Sequence, residues 1–412
     1  MSRWDAIVVG AGPAGAVTAM LLARAGARVL LLDRARFPRD KACSEYLSPE
    51  STRLLARLGD GVLERIEQTA PAKLYGMKVV SPTGASVVGR FAARHAYPSP
   101  RPFGLALPRT IFDTILRDAA ERAGAHTQEE SVMEDLVYDA GAVGGVITRT
   151  STGQRTTHRA RVVVGADGLR SVVARRLGLH RAGHPRRIAF SAHVQDVQGV
   201  AEMGEMHVGA ARGEGASGYV GLGPIGSGVT TVALVLPLAA VRPAGHAVRA
   251  SFFSQLDGFP GLRGRFDAAR LVRRVLVTGP FAQWSRRPVA DGALLVGDAA
   301  DFFDPFTGQG IFSALRGAEL AAEAILPILA GGRPVTAAAL VSYGRARRAA
   351  FAGKWLLERL IGAGVGWPAL AERVIRRLAR RTDLADLLVG ATGNFVPARA
   401  VLAPGVLARL LW

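Results

Sequence analysis

Residues able to do chemistry gather in a few short stretches of the 412-residue chain. In DAIVVGAGPAGAVTAMLLARAGARVLLLD, Gly10, Gly12 and Gly15 form a Gly-x-Gly-x-x-Gly turn that also holds Pro13 and Ala14. In such a turn Gly10 makes the sharp bend, Gly12 lets backbone approach a pyrophosphate, and Gly15 lets the helix pack closely on the strand. The helix start offers unpaired amides and a partial positive charge to phosphates. Asp33 ends the next apolar run, where an acid accepts hydrogen bonds from an adenosine ribose and disfavours a 2′-phosphate. The chemistry is dinucleotide binding, which means FAD or NAD.

Two later stretches narrow that choice. RVVVGADGLRSVVARRLGL, residues 161 to 179, is a buried strand ending in Asp167 and Gly168, with Ser171 placed to cap a helix. LLVGDAADFFDPFTGQGIFSA, residues 294 to 314, runs an apolar strand into Gly297 and Asp298. Asp298 suits a polyol as hydrogen-bond acceptor. Gly308, Gln309 and Gly310 open a helix at about Ile311, and its amides suit something flat and electron-rich. A reduced flavin, negative at N1 and C2=O, would be stabilised there.

The elements that must position these residues are a strand over 6–9, a helix over about 14–24 stopped at Gly26, and a strand over 29–32. A strand over 294–296 delivers Asp298 to the carboxyl end of a sheet, where ligands bind in open α/β folds. Residues 71–105 and 186–284, including LYGMKVVS, IAFSAHVQDV, EMHVGA, GYVGLGPI and VTTVALVLPL, read as strands of a largely antiparallel sheet. The fold expected is α/β, a Rossmann-type nucleotide-binding domain with an inserted, mainly antiparallel substrate sheet and C-terminal helices. The nucleotide-binding part then comprises residues 1–70, 106–185 and 285–342, the substrate part 71–105 and 186–284, and the helical region 343–412.

Composition sets outer bounds. Apolar residues make up 49 % and charged residues 21 %, as in a folded globular protein. Cys43 is the single cysteine, so no internal disulfide forms, which fits a reducing cytoplasm. The net charge of +19 comes almost wholly from arginine, since only Lys41, Lys73, Lys78 and Lys354 are lysines. The arginines are scattered, without aromatic interleaving or a recognition module, so nucleic acid is not an expected partner. The uncharged stretches 6–23 and 215–241 are broken by glycines, Gly215 among them, and read as strands and turns, not as an export signal or a span. No cysteine and histidine cluster has metal-ligand spacing.

GAGPAG (10–15), GADG (165–168) and GDAADFFDPFTGQG (297–310) together resemble the flavoproteins of the p-hydroxybenzoate hydroxylase type. That group includes aromatic and lipid hydroxylases, geranylgeranyl reductases and flavin-dependent halogenases. The resemblance covers about residues 5–345 and implies bound FAD. By that resemblance the first motif holds the pyrophosphate with Asp33 and the adjoining Arg34 at the adenosine ribose. Asp167 belongs to the second cofactor motif, Asp298 binds the ribitol chain, and the backbone from Pro305 lies along the flavin ring. LPRTIFDTIL, residues 107–116, resembles the segment whose arginine, here Arg109, lies against the phosphate and ribityl portion; capping a surface helix is the alternative. Arg39 is placed near the adenosine end.

The reaction is less marked. KACSEYLSPES, residues 41–51, resembles the reductase segment with a cysteine beside the flavin, but Ser44, Glu45 and Tyr46 replace its glycines. Cys43 is therefore a catalytic candidate or an inert buried thiol. Glu45 and Tyr46 are candidates to move a phenol proton or, equally, solvated loop residues. GYVGLGP keeps Tyr219 and Pro224 of the reductases' aromatic pattern, with Gly221 and Gly223 where large aromatics would be; with Phe306 they are expected to border a roomy substrate pocket. The halogenases' tryptophan pattern is absent there. Gly-Gln-Gly around Gln309 tilts the expectation toward NAD(P)H- and oxygen-dependent hydroxylation of a hydrophobic small molecule, ahead of double-bond reduction and of halogenation. No second glycine motif for NAD(P)H is visible. His95, His193 and His207 read as satisfied histidines.

Beyond Tyr343, GKWLLERLIGAGVGWPALAERVIRRLARRTDLADLL sets Trp355, Leu356, Leu360, Val374, Ile375 and Leu378 at helical spacing among arginines such as Arg373, Arg376, Arg377, Arg380 and Arg381. Such helices suit an anionic membrane surface, or else form a cap with solvated arginines, the expectation the sequence favours. The chain ends in the apolar ARLLW, residues 408–412.

Overall fold

The computed structural model describes residues 3–92, 95–210, 217–241 and 248–411. Gly215 and Trp412 lie outside them. Apolar runs with no charge for four to six residues form the centre of an eight-stranded sheet, because a strand covered on both faces needs apolar side chains throughout. Trp4–Val9 pairs in parallel with Val29–Leu32 on one side and with Arg155–Gly165 on the other. Ala293–Leu295 extends the sheet in parallel beyond Arg155–Gly165. Helices Pro13–Arg24, Arg109–Arg122 and Gly310–Ala330 pack on one face, where Ala16, Val17, Met20, Phe112 and Ala318 are buried. The strand ends at Val9, Gly165 and Leu295 thus meet in one place, and the turns that follow them form one rim.

The second layer is a seven-stranded sheet running Leu271–Thr278, Arg187–Gln195, Val229–Pro237, Ser217–Pro224, Gly204–Ala210, Gly76–Val80 and Ser86–Arg90. Its pairs are antiparallel apart from the parallel join of Gly204–Ala210 to Gly76–Val80. One face is sealed by Phe252, Leu256, Phe259 and Leu262. The other carries Ala189, Met206, Tyr219 and Val235 toward the first sheet.

From Val341 the chain is helical: Val341–Val365, Pro368–Ala379, Thr382–Thr392, Ala398–Val401 and Pro404–Leu411. The Tyr343 hydroxyl donates to the Leu295 carbonyl at 2.7 Å, tying the first of these helices to the strand that precedes Asp298. No described helix is long and apolar enough to cross a membrane.

Candidate functional site

The Gly10 turn is conformationally demanding. Gly10 has φ +101°, and a Cβ there would lie 2.5 Å from the Ala166 carbonyl oxygen; a Cβ at Gly15 would lie 1.8 Å from the Gly10 oxygen. Gly12 differs, because a Cβ there would meet nothing nearer than the Arg39 Nη2 at 3.5 Å and the Arg109 Nη2 at 4.0 Å. Pro13 and Ala14 begin the helix, so its first amides face the same opening. Two guanidinium groups and a helix N-terminus therefore surround one open point. Both arginines are fixed from behind by buried Asp113, through Arg109 Nε and Nη2 at 2.6 and 2.7 Å and Arg39 Nη1 at 3.1 Å.

Two cavities meet there. One, about 1500 Å³ with its open mouth, runs past Asp33, Arg34, Arg39 and Asp167. The other, about 1440 Å³ on the same terms, runs past Asp298, Pro305, Gly308, Gly310 and Ile311 to Met206, Tyr219 and Gly221. Gly12, Lys41, Ala42, Ala166 and Gly168 border both. The joined space is long, with cations at its waist, and so fits an extended dinucleotide such as FAD. Gly297, at φ +58°, turns the chain so that Asp298 borders the cavity, and the Asp298 carboxylate, with Lys41 and Arg109 as the cations that act on it, has no protein hydrogen-bond partner among the described residues. Burial raises its pKa, opposed by Lys41 and Arg109. An unpartnered acceptor of this kind fits a ribitol hydroxyl.

Other expected residues have different employment. Asp33 Oδ2 accepts from the Ala11 amide at 2.8 Å and Oδ1 from the Ala35 amide at 2.9 Å, so the acid also braces the glycine turn. Asp167 caps helix Val172–Arg176: it accepts from the Ser171 hydroxyl and the Val172 amide, both at 2.6 Å, while Ser171 accepts from the Ala174 amide. Its carboxylate is thus engaged, though the residue borders the cavity. Gln309 turns its side chain away, donating to the Ala391 carbonyl and Asn394 Oδ1 at 2.9 and 2.8 Å. Gly308 and Gly310 are what border the cavity at the start of helix Gly310–Ala330.

In the loop over the cavity, Cys43 and Tyr46 border the space and Glu45 does not. Glu45 has φ +59° and points behind the loop, with Oε2 2.6 Å from His193 Nε2 and Oε1 accepting from the Arg109 amide at 3.1 Å. Glu45, expected either to move a phenol proton or to be a solvated loop residue, is buried and ties the loop to the second sheet, with His193 as its partner. The Tyr46 hydroxyl is buried without a hydrogen-bond partner among the described residues, and burial holds its pKa well above the usual phenol value. Tyr219 donates to Asp304 Oδ1 at 2.5 Å, and Arg187 reaches Asp304 Oδ2 at 2.7 Å and the Gly362 carbonyl at 3.0 Å. Phe306 packs edge-on against Tyr219, its centroid 4.9 Å away, and neither it nor Gly223 borders the cavity.

Sequence reasoning missed Lys41, Lys354 and Glu358, all bordering the cavity. Burial lowers the Lys41 pKa, with Asp298 opposing and Arg109 and Arg39 adding to the fall. Lys354 donates to Glu358 Oε1 at 2.7 Å and Thr307 donates to the same oxygen at 3.2 Å. Burial raises the Glu358 pKa, and Lys354 opposes it. One signal was present: only four of 52 basic side chains are lysines, and two of those four face this cavity. A compact ammonium that can lose its proton is not replaceable by guanidinium.

A family model described as FAD binding domain matches residues 3–355. The digeranylgeranylglycerophospholipid reductase of Methanothrix thermoacetophila is 30 % identical over 333 residues, covering 80 % of this chain and 79 % of its own. The menaquinone reductase of Mycolicibacterium smegmatis is 32 % identical, covering 78 % of this chain and 76 % of its own. A solved flavoprotein/dehydrogenase from Cytophaga hutchinsonii superposes with a TM-score of 0.81 at 19 % identity, over 98 % of this chain and 96 % of that one.

Proposed function

The chain belongs to the FAD binding domain family and is an FAD-dependent oxidoreductase, and from that premise we propose that it adds hydrogen across carbon–carbon double bonds of a long apolar substrate such as an isoprenoid chain, with NAD(P)H supplying the electrons. The observation that carries this reading is the wall of the cavity beyond Gly310, made of Ala189, Met206, Tyr219, Gly221, Ala233 and Val235 on the second sheet. It offers an apolar chain a surface continuous with the flavin loop. The names of both reductases above support the reaction type.

The FAD that this site would hold, once reduced by two electrons from NAD(P)H, would supply the hydride for such a reduction. The protein's part is to hold the alkene against that loop, exclude water and deliver the matching proton. Glu358, on helix Val341–Val365 at the border of the same cavity, is kept protonated further up the pH scale by its burial and is the proton store, its carboxyl oriented by Lys354. Tyr219 is not the donor we favour, because its proton is committed to Asp304.

Hydroxylation is the second reading. It is favoured by the space at Gly221, where a Cβ would meet nothing nearer than Met206 Cε at 3.6 Å. One experiment separates the two. Protein reduced anaerobically with NADPH is mixed with a geranylgeranyl lipid or a menaquinone, and flavin absorbance and product mass are followed. Reduction requires flavin reoxidation without oxygen and a product richer by two hydrogens per double bond. Failure with every such lipid, together with an oxygen-dependent product richer by one oxygen atom, would replace it with hydroxylation.

A further inference from the structure

Helix Val341–Val365 covers the cavity with one face and presents a second face to solvent. Inward it buries Tyr343, Arg347, Phe351, Leu357 and Glu358. Outward, Leu356 and Leu360 are each 49 % exposed, and Trp367, just past the helix end, is 65 % exposed. Leu356 and Leu360 are one turn apart and share a face. Arg345, Arg348 and Arg359 are exposed along the same helix, while the only acid between Val341 and Trp367, Glu358, is buried. The next helix is different. Ile375 and Leu378 of Pro368–Ala379 are buried with Val87, so its arginines decorate a cap.

The exposed face adjoins the cavity. The Arg359 guanidinium carbon lies 4.6 Å from the centroid of the Phe303 ring, and Phe303 borders the cavity. Apolar side chains and arginines thus share one face of the helix, and one of those arginines covers a residue of the cavity wall.

We propose that this outward face docks the protein on an anionic lipid bilayer, with Leu356, Leu360 and Trp367 in the headgroup and acyl boundary and the three arginines against lipid phosphates. The pairing of apolar residues with charge of one sign matches that surface. A second copy of this chain fits poorly, because a two-fold contact through this face would set Arg345, Arg348 and Arg359 against themselves. Docking here also brings a lipid chain to the Phe303 side of the cavity. The proposal stands apart from the choice of reaction, since binding requires no turnover.

The test is flotation of the FAD-loaded protein with vesicles of phosphatidylglycerol and phosphatidylcholine, and with phosphatidylcholine alone. Binding to the anionic vesicles that weakens with added salt is expected. Leu360→Glu, at an exposed position, should leave flavin content and melting unchanged and reduce the bound fraction at least tenfold. Val272→Glu, at a position 58 % exposed on strand Leu271–Thr278, should leave binding as it was. Absence of binding to anionic vesicles at low salt, or equal binding by Leu360→Glu, overturns the proposal. A dimer in size-exclusion chromatography that Leu360→Glu abolishes, with no vesicle binding, assigns the face to a second copy instead.

Discussion

Around Gly12 the channel is made mostly by neighbours, a strand, turn and helix within residues 4–24 with Asp33 and Arg39 close behind, joined by the Arg109 and Asp113 pair from a helix farther along the chain. Around Pro305 it is made by strangers. Asp304 holds Tyr219 across 85 residues and Arg187 across 117, and Arg187 holds Gly362 across 175. In the first region backbone shape makes the site and charge completes it. In the second, buried charge pairs fasten a loop, a sheet and a helix that have no local reason to meet. Damage should therefore act differently: on ligand affinity in the first region and on cohesion in the second.

The largest effect is expected at Arg187. Arg187→Met leaves Asp304 buried without its cation, and breaking a buried pair from one side costs about 3–5 kcal/mol. Urea unfolding of FAD-free protein measures it; a loss under about 1 kcal/mol would mean that water reaches Asp304 and that the triad is no fastener.

Gly12→Val comes next and breaks the comparison from the other side. Gly12 has extended backbone and no close neighbour, so the FAD-free protein should fold normally. The added methyls occupy the point between the two guanidinium groups, and FAD affinity should fall about 100-fold, roughly 2.7 kcal/mol. Equilibrium dialysis of FAD gives the number, and undiminished binding would put the phosphates elsewhere.

Tyr219→Phe should cost less, about 1.5 kcal/mol, because Asp304 keeps Arg187 and the Phe306 amide when the phenol is lost. A cost as large as that of Arg187→Met would show that the hydroxyl, and not the guanidinium, holds the sheet to the loop.

The same contrast explains what was legible in the residue order. Gly10, Gly12, Gly15, Asp33 and Asp298 announce themselves because a tight turn and a strand end demand particular residues at fixed local spacing. Strand Val29–Leu32 falls where its apolar run places it, and helix Gly310–Ala330 begins at the glycines that open it and continues past Pro327, where Ile328 and Leu329 are buried. The Glu45 side chain could not be aimed from sequence, because its partner His193 lies 148 residues away and its φ is positive. By spacing alone, Lys354 and Glu358 cannot be told from an ordinary ion pair four residues apart on a basic helix. Only the fold turns that helix face into the cavity.

The smallest change in stability, and the sharpest probe of the second region, is Glu358→Gln. Burial raises the folded-state pKa of Glu358 above its unfolded value, so the protonated form favours the folded protein. Its stabilising contribution is complete below the unfolded value, about 4.3, and disappears as pH rises through the folded value. Glutamine mimics the protonated form and keeps an oxygen for Lys354 and Thr307, so the variant should escape that loss, and its stability in urea unfolding should fall less than the parent's as pH rises. The rate at which an alkene substrate reoxidises the reduced flavin should fall on the alkaline side in the parent protein as Glu358 loses its proton. In Glu358→Gln the rate should be low and that alkaline limb absent. A variant that keeps the limb would move the proton store to another cavity residue, with Lys41 the first candidate, since its lowered pKa also brings it toward the working range.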